Sequence, residues 1–243
     1  MTCPENFAVF ILTVLIYYDI ILSMYISNKI TRKIYDNLKN YVDEIILLPD
    51  FDLLPTPVAS HADMLMYKLR DSLLAHNRYY YENPDLFNGV KITLTNEYIS
   101  NTYPNDILLN ALNLGGTVYC KADCISKYIR ADADKIVNLK QGYARCSTCI
   151  VSNNAVITAD RNIADIVSAD VLLIKEGHIK LDGYNYGFIG GASVKVGDNI
   201  LFFGDISVHP DYEKITEFCG KYGMKAVSLS DEMLYDYGSM VII

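Results

Sequence analysis

The 243-residue sequence contains no tryptophan and only four histidines. Any acid–base chemistry built on imidazole must therefore draw on His61, His76, His178 or His209. Bases are scarce as well: 21 Lys and Arg face 29 Asp and Glu, a net charge of −8. That balance argues against a nucleic-acid partner, since phosphate binding needs a basic face. Six cysteines are too few in a chain of this length for a disulfide scaffold. No Lys or Arg precedes Lys29 and Glu5 is acidic, so the start lacks the cationic region of an ordinary signal peptide. The glycine fingerprint of dinucleotide sites is missing too, and no cofactor is expected.

What is present is apolar. Hydrophobic residues make up 51% and charged residues 21%, the composition of a folded chain with a real core. Much of the excess lies at the start. Phe7 to Tyr18 is apolar or aromatic apart from Thr13, and Asp19 then interrupts it. A spanning helix needs about 20 apolar residues. Three readings of residues 1–23 stay open: a dispensable extension ahead of a true start at Met24, a membrane anchor, or a cleaved signal. Under the second, Lys29, Arg32 and Lys33 keep the domain on the cytoplasmic side. The expected organisation is an extension over 1–23 and one domain over 24–243, cytoplasmic or anchored facing the cytoplasm.

Beyond Met24 the chain repeats. Five polar or glycine lead-ins each precede an apolar run: His61-Ala62-Asp63 before MLMYKL, Asn105-Asp106 before ILLNAL, Cys146-Ser147 before TCIV, Gly190-Gly191 before ASVKV, and Gly238-Ser239 before MVII. From Asp63 through Asp106, Ser147 and Gly191 to Ser239 the steps are 43, 41, 44 and 48 residues. Turn residues then lead into returning strands, as at Gly197-Asp198-Asn199 before ILFF. Helical patterns close most units, with Asp160 a suitable N-cap and Gly223 a stop. The last unit lacks its own closing elements and must borrow a strand and helix from residues 25–48. WD40-type blades have four strands and no helices, a TIM barrel needs eight units, and a doubly wound sheet would lack these hairpins. A five-bladed α/β propeller with pseudo-fivefold symmetry accounts for count, spacing and closure together.

The segments HADML, YPNDILLNA, KQGYARCS, ADRNIA, YGFIGGAS, FFGDISVHPD and DYGSM resemble an uncharacterised bacterial family assigned to the guanidino-group-modifying enzyme, or pentein, fold. The resemblance spans about Tyr25 to Ile243. It implies a central channel and, in catalytic members, a Cys nucleophile in the last blade, a His in the one before, and carboxylates clamping a guanidinium. This sequence departs from that pattern. Gly238-Ser239-Met240 holds the last-blade place without a Cys, and Phe188-Ile189-Gly190-Gly191 holds the fourth without a His.

The remaining candidates are distributed differently. Cys146 follows Arg145 and is the expected nucleophile, with His61 and Asp63 assisting from what reads as one strand face. Asp106, Asn110, Ser147, Gly190, Gly191, Asp205 and Ser239 are expected to bind the substrate. Each has a structural alternative: an Asx turn at Asp106, a backbone bond for Asn110, close packing at Gly190-Gly191, capping at Asp205. Cys146-x-x-Cys149 falls on a strand, not a helix start, and Cys120 and Cys124 are loosely spaced for zinc, so no metal is expected. Two readings follow: an enzyme acting on a guanidino-type or related cationic small molecule, or a pentein that binds a ligand or partner without catalysis. A homo-oligomer is compatible with either. Tyr79-Tyr80-Tyr81 reads as an exposed cluster or a lid, and His178 and His209 read as surface residues.

Overall fold

The computed structural model describes residues 22–243, so the readings of the first 23 residues lie outside it except at Leu22 and Ser23. Strand β1 (Ser23–Ser27) is buried along its whole length. It crosses through α1 (Arg32–Leu38) to a parallel partner, β2 (Glu44–Leu48). Thr31 starts that helix by accepting the Ile34 N–H. A single turn, α2 (Ala62–Leu65), then opens the first complete blade.

That blade sets the pattern. β3 (Met66–Lys68) pairs antiparallel with β4 (Leu73–His76), and α3 (Asn77–Glu82) carries the chain over to β5 (Ile92–Thr95), parallel to β4. The next blade is β6 (Leu112–Leu114), β7 (Thr117–Cys120), α4 (Lys127–Asp132) and β8 (Lys135–Asn138). The third is β9 (Thr148–Ser152), β10 (Ala155–Thr158), α5 (Arg161–Ile166) and β11 (Asp170–Leu173). The fourth is β12 (Ser193–Val196), β13 (Asn199–Phe202), α6 (Tyr212–Lys221) and β14 (Lys225–Ser228). Last, β15 (Val241–Ile242) pairs antiparallel with β1, so the amino-terminal β1–α1–β2 completes the fifth sheet as the spacing predicts. Hairpin turns favour the antiparallel pair, and each short helix supplies the crossover a parallel pair requires. The architecture is a five-bladed α/β propeller.

Several local readings need correction. MLMYKL is not one strand: His61 and Asp63 belong to the α2 turn, held by Met64 and Leu65 N–H groups donating to the His61 carbonyl. ILLNAL is irregular up to β6, with Asn110 N–H turned back onto Ile107 O. At both places five chain segments converge on the axis, and a turn fits where a laterally paired strand does not. Tyr79 lies in α3, buried, with its hydroxyl donating to Pro49 O, whereas Tyr81 is exposed. His209 is buried, not a surface residue; its Nδ1 accepts the Asp211 N–H at 3.1 Å and its ring meets His178 edge-on. No helix among the described residues is long and apolar enough to cross a membrane.

Asp160 shows how local chemistry holds a blade together. Its carboxylate accepts the Ile163 N–H at 2.9 Å, capping α5, and the Gln141 side chain at 3.0 Å. Asp160→Ala is expected to cost about 1 kcal/mol and to lower Tm by roughly 2–4 °C, measured by calorimetry.

Candidate functional site

Segments at the inner ends of all five blades meet on the propeller axis, and three of them carry four ionisable side chains into it. The α2 turn brings His61 and Asp63 from the first blade. The loop before β9 brings Cys146, and the loop before β15 brings Asp236. All four are buried. Ligating atoms of His61, Asp63 and Cys146 lie within 4.8 Å of one another. The Cys146 thiol donates to Asp63 Oδ2 at 2.7 Å, and the Ser239 N–H donates to the same oxygen at 3.1 Å. Asn110 Nδ2 donates to the sulfur at 3.2 Å while its Oδ1 accepts the Arg145 N–H at 2.9 Å. His61 Nδ1 sits 4.0 Å from Asp236 Oδ1 and has no hydrogen-bond partner.

Burial dominates the electrostatics, since removal from water disfavours the charged form of each group. It pushes the Cys146 thiol well above its ordinary value, and the Asp63 and Asp236 charges push it further. Burial also raises Asp63, an effect opposed by the Cys146 hydrogen bond, Arg145 and Ser239. Asp236 is pushed up to about 7, although the Phe188 and Gly238 N–H groups donate to it. Burial and the Lys29 charge take His61 down to about 3, so its imidazole is neutral. The resting site therefore holds a protonated thiol beside a carboxylate and a neutral imidazole.

A cavity of about 80 Å³ opens on this cluster, reaching His61, Cys146 and Asp236 on one side and Tyr143, Tyr184 and Phe188 on the other. Glycines let the backbone close tightly around it. A Cβ on Gly191 would stand 1.8 Å from Asp236 Oδ1, and one on Gly190 2.3 Å from Thr148 O. Gly190 is thus packed closely against neighbouring backbone and Gly191 against the Asp236 carboxyl.

The other expected binding residues fall in several places. Asn110 and Ser239 touch the cluster directly, but Ser239 Oγ donates to Arg145 O and Gly190 O and is not free to react. Asp106 stands one residue back, accepting the Tyr143 hydroxyl at 2.5 Å. Ser147 lines a separate cavity of about 130 Å³ with Gln141, Asp160 and His178. Asp205 lies apart from the axial cavity. It caps the short turn at 206–208 through the Ser207 N–H and also accepts from Ser228, so its capping alternative is the one seen.

Sequence reasoning missed two participants, Asp236 and Tyr143. Asp236 had a signal: an acid between two tyrosines, two residues before the Gly238-Ser239 lead-in. Tyr143 had none beyond its place in KQGYARCS.

Residues 25–241 match a family described as a family of unknown function (DUF6873). No curated protein matches the sequence. Among solved structures the chain is similar to a dimethylarginine dimethylaminohydrolase in adduct with S-methyl-L-thiocitrulline. The TM-score is 0.52 at 10% identity, over 86% of this chain and 92% of the other. Another dimethylarginine dimethylaminohydrolase, in adduct with 4-chloro-2-hydroxymethylpyridine, gives 0.50 at 9% identity over the same shares. An amidinotransferase of a saxitoxin biosynthetic pathway from Microseira wollei gives 0.50 at 9%, over 86% of this chain and 82% of that one. These are pentein-fold proteins, and the five-bladed propeller described above is the pentein fold.

Proposed function

Since the chain belongs to the DUF6873 family of unknown function, we propose that it is an enzyme acting on a guanidino-type or related small cation, with Cys146 as nucleophile. The observation that carries this reading is the meeting of Cys146, His61 and Asp63 within 4.8 Å beside a small cavity lined by Tyr143, Tyr184, Tyr186 and Phe188. Neighbours of the same fold, by their descriptions, act on dimethylarginine or transfer amidino groups. A planar cation with forked N–H donors suits Asp236, whose ionised form its charge would favour, and the rings of Tyr143 and Phe188.

The chemistry follows from the resting protonation. A bound guanidinium brings the positive charge that the raised thiol lacks. The Cys146 proton passes to Asp63 Oδ2 along the 2.7 Å hydrogen bond, and the sulfur attacks the guanidinium carbon. A C–S bond forms and one C–N bond breaks, the departing amine taking the proton back from Asp63. Water then adds to the same carbon, losing a proton to neutral His61. The C–S bond breaks, the sulfur takes the proton held by His61, and the urea-type product releases its hydroxyl proton to water.

A second reading, binding without catalysis, is favoured by Ser239, whose hydroxyl is committed to two carbonyls at the last-blade position. One experiment separates the two. The protein is treated with 2-chloroacetamidine, with and without methylguanidine, and its cysteines are mapped by mass spectrometry. The expected result is selective alkylation of Cys146, suppressed by methylguanidine and abolished in Asp63→Asn. Equal labelling of several cysteines, or labelling indifferent to methylguanidine, overturns the catalytic reading.

A further inference from the structure

The axial channel has two ends. A second chamber of about 200 Å³, lined among others by Asp63, Tyr67, Lys68 and Arg145, shares no lining residue with the cavity at Cys146. Between the two lies a plug of hydrogen-bonded groups: Asp63 to Cys146 and Ser239, Ser239 to the Arg145 carbonyl, and Asn110 to the Arg145 N–H. Asp63 and Arg145 both line only the second chamber, although Asp63 is hydrogen-bonded to Cys146, which lines the first.

We propose that this second chamber binds a small aliphatic carboxylate. The half-buried Arg145 guanidinium makes no ion pair among the described residues, and its one hydrogen bond runs from Nη1 to Thr148 O at 3.0 Å. Its other N–H groups are left for a ligand. Tyr67 lines the same chamber and is 7% exposed as a residue; its hydroxyl is buried next to Asn113, which also lines the chamber, and makes no hydrogen bond of ordinary geometry. A buried donor left unpaired is costly, so it marks a place where a polar ligand atom belongs. Lys68 adds a second cation at the rim, with only one bond, to Ile242 O at 2.9 Å. Arg145 and Lys68 outweigh Asp63, so the lining is locally positive in a chain of net charge −8.

The opposite walls are apolar, formed by Met66, Leu109, Ala111, Ile150 and Met240. A strongly hydrated phosphate gains nothing from such walls. A carboxylate with a short hydrocarbon body presents two coplanar oxygens to the guanidinium fork and buries its chain.

The test is an NMR titration of the whole protein with sodium butyrate, with acetate and n-butylamine as comparisons. Tyr67→Phe and Lys68→Gln are chosen because Arg145 variants risk losing the fold; melting curves establish that both variants remain folded. Butyrate is expected to bind saturably, and acetate roughly tenfold more weakly for its two missing methylenes. Tyr67→Phe is expected to weaken butyrate roughly fivefold. Lys68→Gln is expected to weaken it a few-fold and to flatten its salt dependence. Butyrate binding no better than n-butylamine, acetate equal to butyrate, or affinities within about twofold in both variants overturns the proposal. Labelling of Cys146 is read in the same samples. Its failure sinks the catalytic reading and leaves the carboxylate chamber standing; the converse holds equally.

Discussion

Gly238→Ala is expected to lower Tm by about 10 °C or more, or to prevent folding outright, whereas Gly177→Ala lowers it by only a few degrees. Both glycines adopt positive φ, +76° and +87°, so both variants carry the left-handed penalty of about 1–2 kcal/mol. They differ in what surrounds them. A Cβ on Gly177 meets nothing within 4 Å. A Cβ on Gly238 would stand 2.4 Å from His61 Cβ and 2.7 Å from its Cα. His61 cannot retreat, because its carbonyl holds the α2 turn and Asp63, two residues on, is fixed by Cys146 and Ser239. Overlap with backbone in a close-packed interior costs a few kcal/mol beyond the φ term. Calorimetry on the pair separates the two contributions. Equal melting shifts would show that the first and fifth blades are not locked together at this contact.

That contact also explains how far the sequence is legible. The repeat of lead-ins counts the blades because each marks where the chain passes the axis, and the axis demands small or polar residues. The borrowed β1–α1–β2 is legible because the fifth lead-in is followed by one short apolar run, without a returning strand or helix of its own. The conformation of the lead-ins is not. Periodicity cannot separate a helical turn followed by three strand residues from one strand, and MLMYKL is apolar enough for either. The site is legible only as residue types. Cys146, His61 and Asp63 are visible in three lead-ins, but Asp236 sits two residues before its own, and it faces His61 only through the turn that Gly238 allows. Arg145, noted in the sequence only as a cation beside Cys146, turns its side chain to the other end of the channel.

His61 and Asp236 are expected to give opposite pH dependences that cancel in the native protein. Asp236 is raised to about 7. Between its unfolded value near 4 and 7 the unfolded chain is ionised there and the folded one is not. Its contribution to stability is therefore full below pH ~4 and falls as pH rises through 7. His61 is depressed to about 3. Below its unfolded value near 6.5 the unfolded chain takes a proton that the folded one refuses, so its contribution falls as pH drops toward 3. From about pH 4 to 6.5 the two slopes are equal and opposite, each about 1.4 kcal/mol per pH unit. Removing one group exposes the other. His61→Gln should lose about 3 kcal/mol relative to the native protein between pH 4 and 6.5, and Asp236→Asn should gain as much over the same span. Asp236→Asn starts from a lower stability at every pH, because both carboxylate oxygens accept backbone N–H groups and an amide can satisfy only one. The slope and not the level is the measure. Urea unfolding at pH 4.5, 5.5 and 6.5 reads it directly. Curves for both variants that run parallel to the native one would mean that neither group is held in its neutral form, and that His61 and Asp236 are both charged beside Cys146 before any ligand arrives.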